Sequence, residues 1–580
     1  MNRILKYAKG YYKYCILSPL FIVIEALLEI FIPLVMMNLI DIGIKMQNMN
    51  YIVAASCLII GMSVLALIGG CGSGYFATKA SAGLGKNIRK ALYDKVQTFS
   101  FENIDKFSTA SLVTRLTQDV TNVQTSFQMT IRICFRAPLL FVAALVMTCI
   151  ESIQVGIIFL CIVPLLLIIV FIVIMIANKY FKQMFKKIDQ LNLVVQENVN
   201  AIRTVKSYTN EDYESSKFLK ASKDVRYFSC KAEALGALFN PVSQFLLYTS
   251  YILIIFFACT MMVGDKPTML VGKLQLFINY GSQILSSLMM ACVVFMMIIM
   301  SRASKERILA VLDEIPTIVN PADPIMKVDN GSVEFKNVNF SYSNDMSKLA
   351  IKNMSFKINS GETVGIFGPT GSSKTTLISL IDRLYDVSSG EVFVGNHNVK
   401  DYDLFTLRES CSVVLQKNTL FSGTINSNMR WGNPTATDEE IKKACNYAQA
   451  SEFIEKLDDK YNSTVEEGGV NFSGGQKQRL CIARAILKKP QILILDDSTS
   501  AVDTKTDLMI REAFIKEIPH TTKFIISQRI SSIMNADKII ILNNGSLVDI
   551  GNHNELMKRC KEYEQIFNAQ MKASPRGGNL

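Results

Sequence analysis

The sequence predicts a multi-domain membrane protein, in which a six-helix, all-α transmembrane domain is followed by an α/β domain. Two observations predict this order. The chain of 580 residues is 49% hydrophobic, and its long apolar runs lie in the first half. From about Lys327 onward, short apolar runs separated by turn residues alternate with helical patterns, which is typical of α/β domains. The predicted divisions are a membrane domain at 1–310, a linker at 311–327, an α/β domain at 328–570 and a tail at 571–580.

The membrane domain is predicted from apolar runs long enough to cross a bilayer, which takes about 20 residues in a helix. Short segments such as "ESIQ", between the third and fourth runs, separate them. The alternative is that some runs are buried helices of a soluble core, but the charge pattern along the chain favours spans. The six runs lie near 14–40, 52–76, 134–152, 154–178, 238–262 and 275–299.

Charge predicts the orientation in the membrane. The formal net charge is +11, and the Lys and Arg residues concentrate in the segments on one side of the membrane, for example at Arg3, Lys6, Lys86 and Lys182, whereas the short segments on the other side carry little positive charge. The positive-inside rule therefore places both termini and two long loops, about 77–133 and 179–237, on the cytoplasmic side of a cell membrane. This distribution explains the charge without a nucleic-acid partner. The 13 Cys and 3 His are scattered, so we expect no structural zinc site.

Both long loops have the apolar spacing of helices, so we expect the spans to continue into the cytoplasm. Their tips, near 101–112 and 210–217, are predicted to contact a soluble domain.

The α/β domain contains a glycine-rich loop between a strand and a helix, in "VGIFGPTGSSKTTLISLI". Backbone N–H groups at the helix N-terminus would cradle phosphates, Lys374 would reach the β- and γ-phosphates, and the Thr375 hydroxyl would bind Mg²⁺. Ser373 stands where such loops usually have a third glycine. The predicted cofactor-binding residues of this loop are Gly368, Pro369, Thr370, Gly371, Ser372, Ser373, Lys374, Thr375 and Thr376.

Two further segments complete a nucleotide site. In "QILILDDSTSAVD" an apolar strand ends at Asp496, where a carboxylate can hold the Mg²⁺ shell. In "NFSGGQKQRL" small residues and free amides at a predicted helix start, Ser473, Gly474 and Gly475, form a second anion site. Each piece alone could be an ordinary turn or cap, but the ordered set favours a nucleotide site.

From about 10 to 570 the chain resembles an ABC exporter half-transporter of the six-helix type. "GPTGSSKT" matches Walker A, "ILILDD" matches Walker B, and "FSGGQ" matches the signature, with Phe472 where Leu is usual. The resemblance implies an ATPase-coupled transporter that uses ATP and Mg²⁺. It implies that Tyr342 stacks on adenine, that Ser500 to Asp503 form the D-loop, and that the metal is held by Thr375, Gln416 and Asp496.

In this family each ATP lies between Walker A of one chain and the signature of another. The resemblance therefore implies that this chain offers its signature to a partner's ATP through Ser473, Gly474, Gly475 and Gln476. That signature is intact.

Three positions depart from the hydrolytic pattern of the family, all on the side of the site formed by this chain's own P-loop. Asp497 stands where a glutamate orients the attacking water, and Gln528 where a histidine contacts the γ-phosphate. The third is Ser373. Tolerated drift is one interpretation. The other is the degenerate-site subunit of a heterodimeric bacterial exporter, whose non-identical partner has an intact Walker B Glu and H-loop His.

The sequence says less about the substrate. Glu25 and Glu29 lie one turn apart in the first predicted span, where acidic residues are a functional hypothesis, and they could attract cationic amphiphiles. The alternative is that they hydrogen-bond within the bundle. We expect multidrug-type export of amphipathic small molecules. A lipid or peptide exporter is the alternative of the same class, and an ATP-binding regulatory or sensor subunit is the alternative of another class.

Overall fold

The computed structural model describes residues 2–262, 269–343, 345–497 and 502–573. The chain divides into two compact units. The first comprises Met1–Gln97 and Ala110–Asp313, and the second comprises Thr98–Thr109 and Glu314–Leu580. The first unit is all-α and the second is α/β, which confirms the predicted fold class.

The described helices of the first unit include long ones that run without interruption through the predicted spans. Two π-helical segments, Leu39–Ile44 and Arg115–Asp119, adjoin them. The helices are α1 (Asn2–Leu5), α2 (Tyr12–Asn38), α3 (Met49–Gln97), α5 (Thr109–Thr114), α6 (Val120–Glu151), α7 (Ile153–Asn200), α8 (Ile202–Ser207), α9 (Glu211–Ala237), α10 (Phe239–Met262) and α11 (Val271–Asp313), with α4 (Phe101–Phe107) in the second unit.

Among the described residues, five helical segments are long and apolar enough to cross a membrane. They contain or overlap the predicted spans except the one near 154–178, which lies in α7, where the described residues include a shorter apolar segment, Ile153–Leu165. The number of six spans therefore stays a prediction. The turn between α6 and α7 is tighter than predicted, because only Ser152 separates the two helices. Part of the predicted outer loop, residues 263–268, lies outside the described residues.

The long helices extend far beyond a bilayer, as predicted. With 49 residues, α3 is about 74 Å long, more than twice the hydrocarbon thickness of about 30 Å. The second tip is predicted near 210–217, but the chain turns earlier, around α8, and residue 211 already begins α9.

A proline shapes the packing of α2 in the first unit. Pro33 lies inside the helix and has no N–H, so the carbonyl of Glu29 loses its normal helical donor. Gln283 of α11 supplies one, with its Nε2 donating to Glu29 O at 3.0 Å, and the Tyr280 hydroxyl donates to Ile30 O at 2.9 Å. Tyr280 is fully buried. The freed carbonyl of Glu29 and the neighbouring carbonyl of Ile30 thus both accept hydrogen bonds from α11.

The second unit contains the strands and the remaining helices, in the alternating order that the sequence predicts. The strands are β1 (Val333–Phe340), β2 (Ile351–Ile358), β3 (Thr363–Phe367), β4 (Ser389–Val394), β5 (His397–Asn398), β6 (Cys411–Val414), β7 (Gly423–Thr424), β8 (Thr464–Val465), β9 (Ile492–Asp496), β10 (Thr522–Ile526), β11 (Lys538–Asn543) and β12 (Ser546–Gly551). The helices are α12 (Lys374–Ser379), α13 (Leu404–Ser410), α14 (Ile425–Met429), α15 (Asp438–Tyr447), α16 (Ser451–Ile454), α17 (Gly474–Leu487), α18 (Thr504–Glu517), α19 (His553–Arg559) and α20 (Lys561–Ala573).

The main sheet has the strand order β12-β11-β3-β10-β9-β6, in which β11, β3, β10, β9 and β6 are parallel neighbours. Strands β9 and β10 are buried along their whole length, which fits the apolar run at 492–495 in β9 and the three apolar residues that end β10. A second, antiparallel sheet has the order β2-β1-β4-β5. In a parallel sheet the carboxyl ends of the strands meet at one edge, so the segments that follow β3, β6, β9 and β10 come together there.

The predicted linker is tied to the second unit. Ile325 N donates to Asp401 O at 2.8 Å, and Asp403 N donates to Ile325 O at 3.1 Å. Helix α4 belongs to the same unit, because Asn103 Nδ2 donates to Glu314 Oε1 at 3.1 Å and Lys106 pairs with Glu314 at 2.8 Å. Of the tip predicted near 101–112, residues 101–109 thus belong to the α/β unit and residues 110–112 to the first unit.

Candidate nucleotide site

The glycine-rich loop connects β3 to α12, as its sequence predicts. A Cβ on Gly368 would lie 2.3 Å from Leu542 O, so only glycine fits there. Gly371 has open space around it but a φ of +84°, which favours glycine for conformational reasons. Ser373 also has a positive φ, +69°, immediately before α12. Ser373 therefore differs from the usual glycine in two ways. Its backbone has a conformation that favours glycine, and its Cβ limits how closely the backbone can approach phosphates.

Lys374 lies at the start of α12, and its ammonium group contacts the loop itself. Its Nζ donates to Gly368 O and Pro369 O, both at 2.8 Å. Burial lowers the pKa of Lys374, and the carboxylates of Asp496 and Asp497 oppose that effect. The ammonium group of Lys374 is thus held by the loop carbonyls, and it would leave them to bind a phosphate.

The residues predicted to hold Mg²⁺ are neighbours. Thr375 Oγ1 donates to Asp496 Oδ2 at 2.8 Å, with Asp496 at the end of β9. Burial raises the pKa of Asp496, and the bond from Thr375 partly offsets this. Gln416 follows β6 at the same edge of the sheet. A hydroxyl, a carboxylate and an amide oxygen form a donor set of the kind Mg²⁺ accepts, so these residues fit the metal.

A cleft of about 330 Å³ gathers most of the predicted site residues. Asp497 and Gln528 lie in its wall together with the P-loop. Asp497 N donates to Ile526 O at 3.1 Å, which fixes the end of β9 beside the end of β10. The cleft is lined by Thr370, Gly371, Ser372, Ser373, Lys374, Thr375, Thr376, Gln416, Asp496, Asp497, Ile526 and Gln528.

Asp497 has a φ of +47°. Asp tolerates this region better than most residues with a Cβ, and the longer Glu is less favoured there. Burial raises the pKa of Asp497, and the charges of Lys374 and Arg529 oppose the rise. The carboxylate that faces the cleft is thus short and held on a constrained backbone.

The signature segment begins α17 and does not line this cleft. Ser473 is the N-cap residue: its hydroxyl accepts from Gln476 N at 3.3 Å, while Gln476 Oε1 accepts from Ser473 N at 2.9 Å. Gly474 and Gly475 form the first turn of the helix. Phe472, the departure from Leu, is buried and packs against Phe453 with ring centroids 6.2 Å apart. Its substitution thus leaves the capped helix start intact.

Tyr342, predicted to stack on adenine, lies just after β1. Its side chain is 52% exposed, and its hydroxyl shares a hydrogen bond of 2.9 Å with Thr376 Oγ1. The ring edge of Tyr385 approaches it at 5.2 Å between centroids, with an interplanar angle of 88°. Tyr342 is therefore supported on one side and accessible on another. In the predicted D-loop, Ser500 and Ala501 lie outside the described residues.

The intramembrane acids are paired. Arg136 of α6 donates to Glu25 Oε1 at 2.7 Å and to Glu29 Oε1 at 2.6 Å. Of the two interpretations, free acids that attract cations and acids that bond within the bundle, the structure favours the second. The signal was available in the sequence, because Arg136 lies in a predicted span where a charged residue needs a partner.

Two other residues beside the site were not predicted. Tyr385 supports Tyr342, as described above. Gln570 of α20 bonds to the backbone on either side of Arg529. Their partners are distant in sequence, and no local motif marks them.

Comparisons with known proteins assign the chain to a family. The family model for the ABC transporter transmembrane region matches residues 15–301, and the one for the ABC transporter matches residues 351–500. The ABC transporter ATP-binding protein YfiB of Bacillus subtilis is 35% identical over 570 residues, 98% of each chain. MT1311 of Mycobacterium tuberculosis, described by the same words, is 31% identical over 96% of this chain and 95% of its own.

A solved structure of a bacterial Atm1-family ABC exporter with ATP bound superposes with a TM-score of 0.83. It covers 98% of this chain and 99% of its own at 20% identity, so it shows that the two share a fold. The predicted half-transporter architecture is confirmed. The chain belongs to the ABC transporter family, as a membrane half-transporter with the exporter fold that joins a transmembrane region to an ATP-binding ATPase domain.

Proposed function

We propose that this chain is one half of a heterodimeric exporter that moves amphipathic small molecules, multidrug-type, across a bacterial cell membrane. Its own P-loop binds ATP with Mg²⁺ and hydrolyses it slowly, while its signature serves ATP on the partner. Both termini are cytoplasmic on the charge pattern of the spans.

The observation that carries the proposal is that Asp497 and Gln528 line the same cleft as Lys374. A carboxylate one methylene shorter than Glu ends about 1 Å further from the attacking water, a displacement that can cost about 100-fold in rate. The amide of Gln528 can donate a hydrogen bond to a γ-phosphate but carries no positive charge. Both changes weaken catalysis while leaving phosphate binding to the loop and Lys374.

The signature supports the asymmetry. Ser473 and Gln476 cap α17, so the helix start keeps the geometry with which backbone amides bind an anion. A partner whose Walker B ends in Glu and whose H-loop has His would complete a competent site with this segment. A homodimer would instead contain two sites with Asp497.

In this mechanism, ATP binding draws Lys374 from the carbonyls of Gly368 and Pro369 to the phosphates. Tyr342 would stack on adenine, and Thr375, Asp496 and Gln416 would hold Mg²⁺. Closure of the paired ATP-binding domains then shifts the membrane helices from inward-facing to outward-facing. Slow hydrolysis at this site keeps one ATP bound while the other site turns over.

Two alternative functions predict different responses of the ATPase activity to substrates. A lipid or peptide exporter would show ATPase stimulation by lipids or peptides instead of small amphiphiles. A regulatory or sensor subunit would bind ATP and change conformation without any substrate stimulation. An intact signature favours transport, because it is useful only beside a hydrolysing site.

Native mass spectrometry of the complex, extracted gently from its source membrane, tests the proposal. We expect this 64.8 kDa chain together with one unequal partner. A mass of twice this chain would refute the division of labour.

In the heterodimer, Asp497→Glu combined with Gln528→His should raise hydrolysis at this chain's site by at least tenfold. If turnover stays slow, the short carboxylate is not the cause of the slow hydrolysis.

A further inference from the structure

The C-terminal helix α20 packs against the core of the ATP-binding domain through its first half. Tyr563 is fully buried, and its ring lies edge-on to Phe367, the last residue of β3, at 6.2 Å between centroids. The Tyr563 hydroxyl and His553 Nδ1 are 2.9 Å apart, and Phe567 contacts the His553 ring at 5.0 Å. This packing fixes the helix directly beside the start of the P-loop.

From that fixed helix, Gln570 reaches the segment that follows β10. Its Oε1 accepts from Ile530 N at 2.9 Å, and its Nε2 donates to Gln528 O at 2.9 Å. One side-chain amide thus satisfies a backbone donor and a backbone acceptor two residues apart, as a neighbouring strand would. Ser527 fixes the same turn from inside, because its Oγ accepts from Arg529 N at 3.0 Å.

The orientation of this turn decides which way residue 528 points. Gln528 lines the ATP cleft together with Lys374 and Asp497. It also lines a second cleft of about 450 Å³, between the P-loop residues Gly368 and Pro369 and the α20 residue Ile566. Gln528 is exposed and lines both clefts, and the backbone that Gln570 holds is the backbone from which this side chain extends.

We propose that Gln570 is a positioning residue for ATP turnover: its two backbone hydrogen bonds hold residue 528 on the phosphate side of the cleft. The inference rests on the proposed function, in which residue 528 faces the γ-phosphate. It adds that the C-terminal helix controls how firmly this site retains and processes ATP. A change in helix α20 would thereby alter the nucleotide site.

The test uses the dimer purified from its source membrane, with Gln570→Ala and Gln570→Glu in this chain. Glu keeps the acceptor for Ile530 N but loses the donor to Gln528 O. Asn568→Ala, an exposed side chain on the same helix, is the matched control. Each variant is made in the native chain and in the Asp497→Glu, Gln528→His chain. Release of retained ATP from this chain's P-loop is followed in the native background, and kcat and KM for ATP in the restored one.

We expect Gln570→Ala to speed ATP release about three- to tenfold, the effect of one to two net hydrogen bonds. In the restored background kcat should fall by a similar factor while KM changes less than twofold, and Gln570→Glu should lie between Ala and the parent. A Gln570→Ala chain that matches Asn568→Ala in both readouts would overturn the proposal, and so would a lower melting temperature with unchanged rates. If the restored chain gains no hydrolysis, the proposed roles of Asp497 and Gln528 fail, and the release rate still decides the role of Gln570.

Discussion

The hydroxyl of Tyr385 donates a hydrogen bond to Asp105 Oδ2 at 2.7 Å, joining α4 to the ATP-binding domain beside the predicted adenine site. Burial and the negative charge of Asp105 raise the pKa of Tyr385, so the phenol stays protonated as the donor. The same ring lies edge-on to Tyr342 at 5.2 Å and packs against Phe101 at 6.1 Å. One tyrosine therefore contacts both α4 and the aromatic residue predicted to hold adenine.

Substitutions at Tyr385 should separate its two contacts. Tyr385→Phe keeps the ring and loses the bond to Asp105, so ATP affinity should stay within twofold of the parent. Tyr385→Ala also removes the edge contact, worth about 1 kcal/mol for an aromatic pair, and should weaken ATP binding about fivefold. Binding of a fluorescent ATP analogue to the full-length dimer measures both. Phe405→Ala, which removes an exposed aromatic ring elsewhere on the domain, is the control. Equal affinities for Tyr385→Ala and the parent would refute the support of Tyr342.

How much of the structure the sequence predicts depends on how far apart along the chain the contacting residues lie. The loop at 368–376, the capped helix after Ser473 and the strand ending at Asp496 are local patterns, and the parallel sheet brings their ends together. The contacts from Arg136 to Glu25, from Tyr385 to Asp105 and from Gln570 to Gln528 depend on how distant helices and loops pack. Residue type alone sets no such register: Arg136 in a predicted span indicates that an acidic partner is needed but not which one, and no local pattern marks the other two pairs.

Ser373 should tolerate glycine and reject a branched residue. Its φ of +69° costs a residue with a Cβ about 1 kcal/mol, and glycine avoids that cost while gaining freedom in the unfolded chain. We expect Ser373→Gly to change the free energy of unfolding by less than about 1 kcal/mol, upward, and Ser373→Val to lower it by more than that. Melting of the ATP-binding domain in the full-length protein, followed with and without ATP, measures both. A Ser373→Val protein as stable as the parent would show that the strain is absent.

Asp382, just beyond α12, should make stability depend on pH. It is 6% exposed, and its Oδ1 has no hydrogen-bond partner in the part of the chain that the structure describes. Burial raises the pKa of Asp382 to about 7, although Arg408 and Lys488 oppose the rise. Because the folded pKa lies above the unfolded value of about 3.9, the protonated form favours folding. That contribution is fully present below pH 4 and is lost as the pH rises to about 7.

The expected result for Asp382 is a melting temperature that falls between pH 5.5 and pH 8 in the parent. Asp382→Asn removes the titration, so its melting temperature should vary less and exceed that of the parent at pH 8 by a few degrees. Asp401→Asn, which neutralises an exposed carboxylate nearby in sequence, is the control and should follow the parent. Parallel curves for the parent and Asp382→Asn would contradict the prediction.

The group of Arg136, Glu25 and Glu29 should behave as a structural unit of the helix bundle. The Arg136 side chain is 20% exposed and contacts both carboxylates, so its loss leaves two acids of α2 unpaired in an apolar setting. Breaking a buried pair from one side costs about 3 to 5 kcal/mol, whereas replacing all its members with neutral residues is often nearly neutral. We therefore expect Arg136→Met to destabilise the protein strongly.

The triple variant Arg136→Met, Glu25→Gln, Glu29→Gln should recover most of the lost melting temperature in lipid nanodiscs. Phe135→Leu, an exposed neighbour on α6, controls for changes in that span. The same proteins also test the other interpretation, in which the acids recruit cationic substrates. Under that interpretation Glu29→Gln alone would reduce transport of cationic amphiphiles and spare neutral ones, with no recovery in the triple variant. Because Arg136 already neutralises part of this charge, we expect Glu29→Gln to affect cationic and neutral substrates equally.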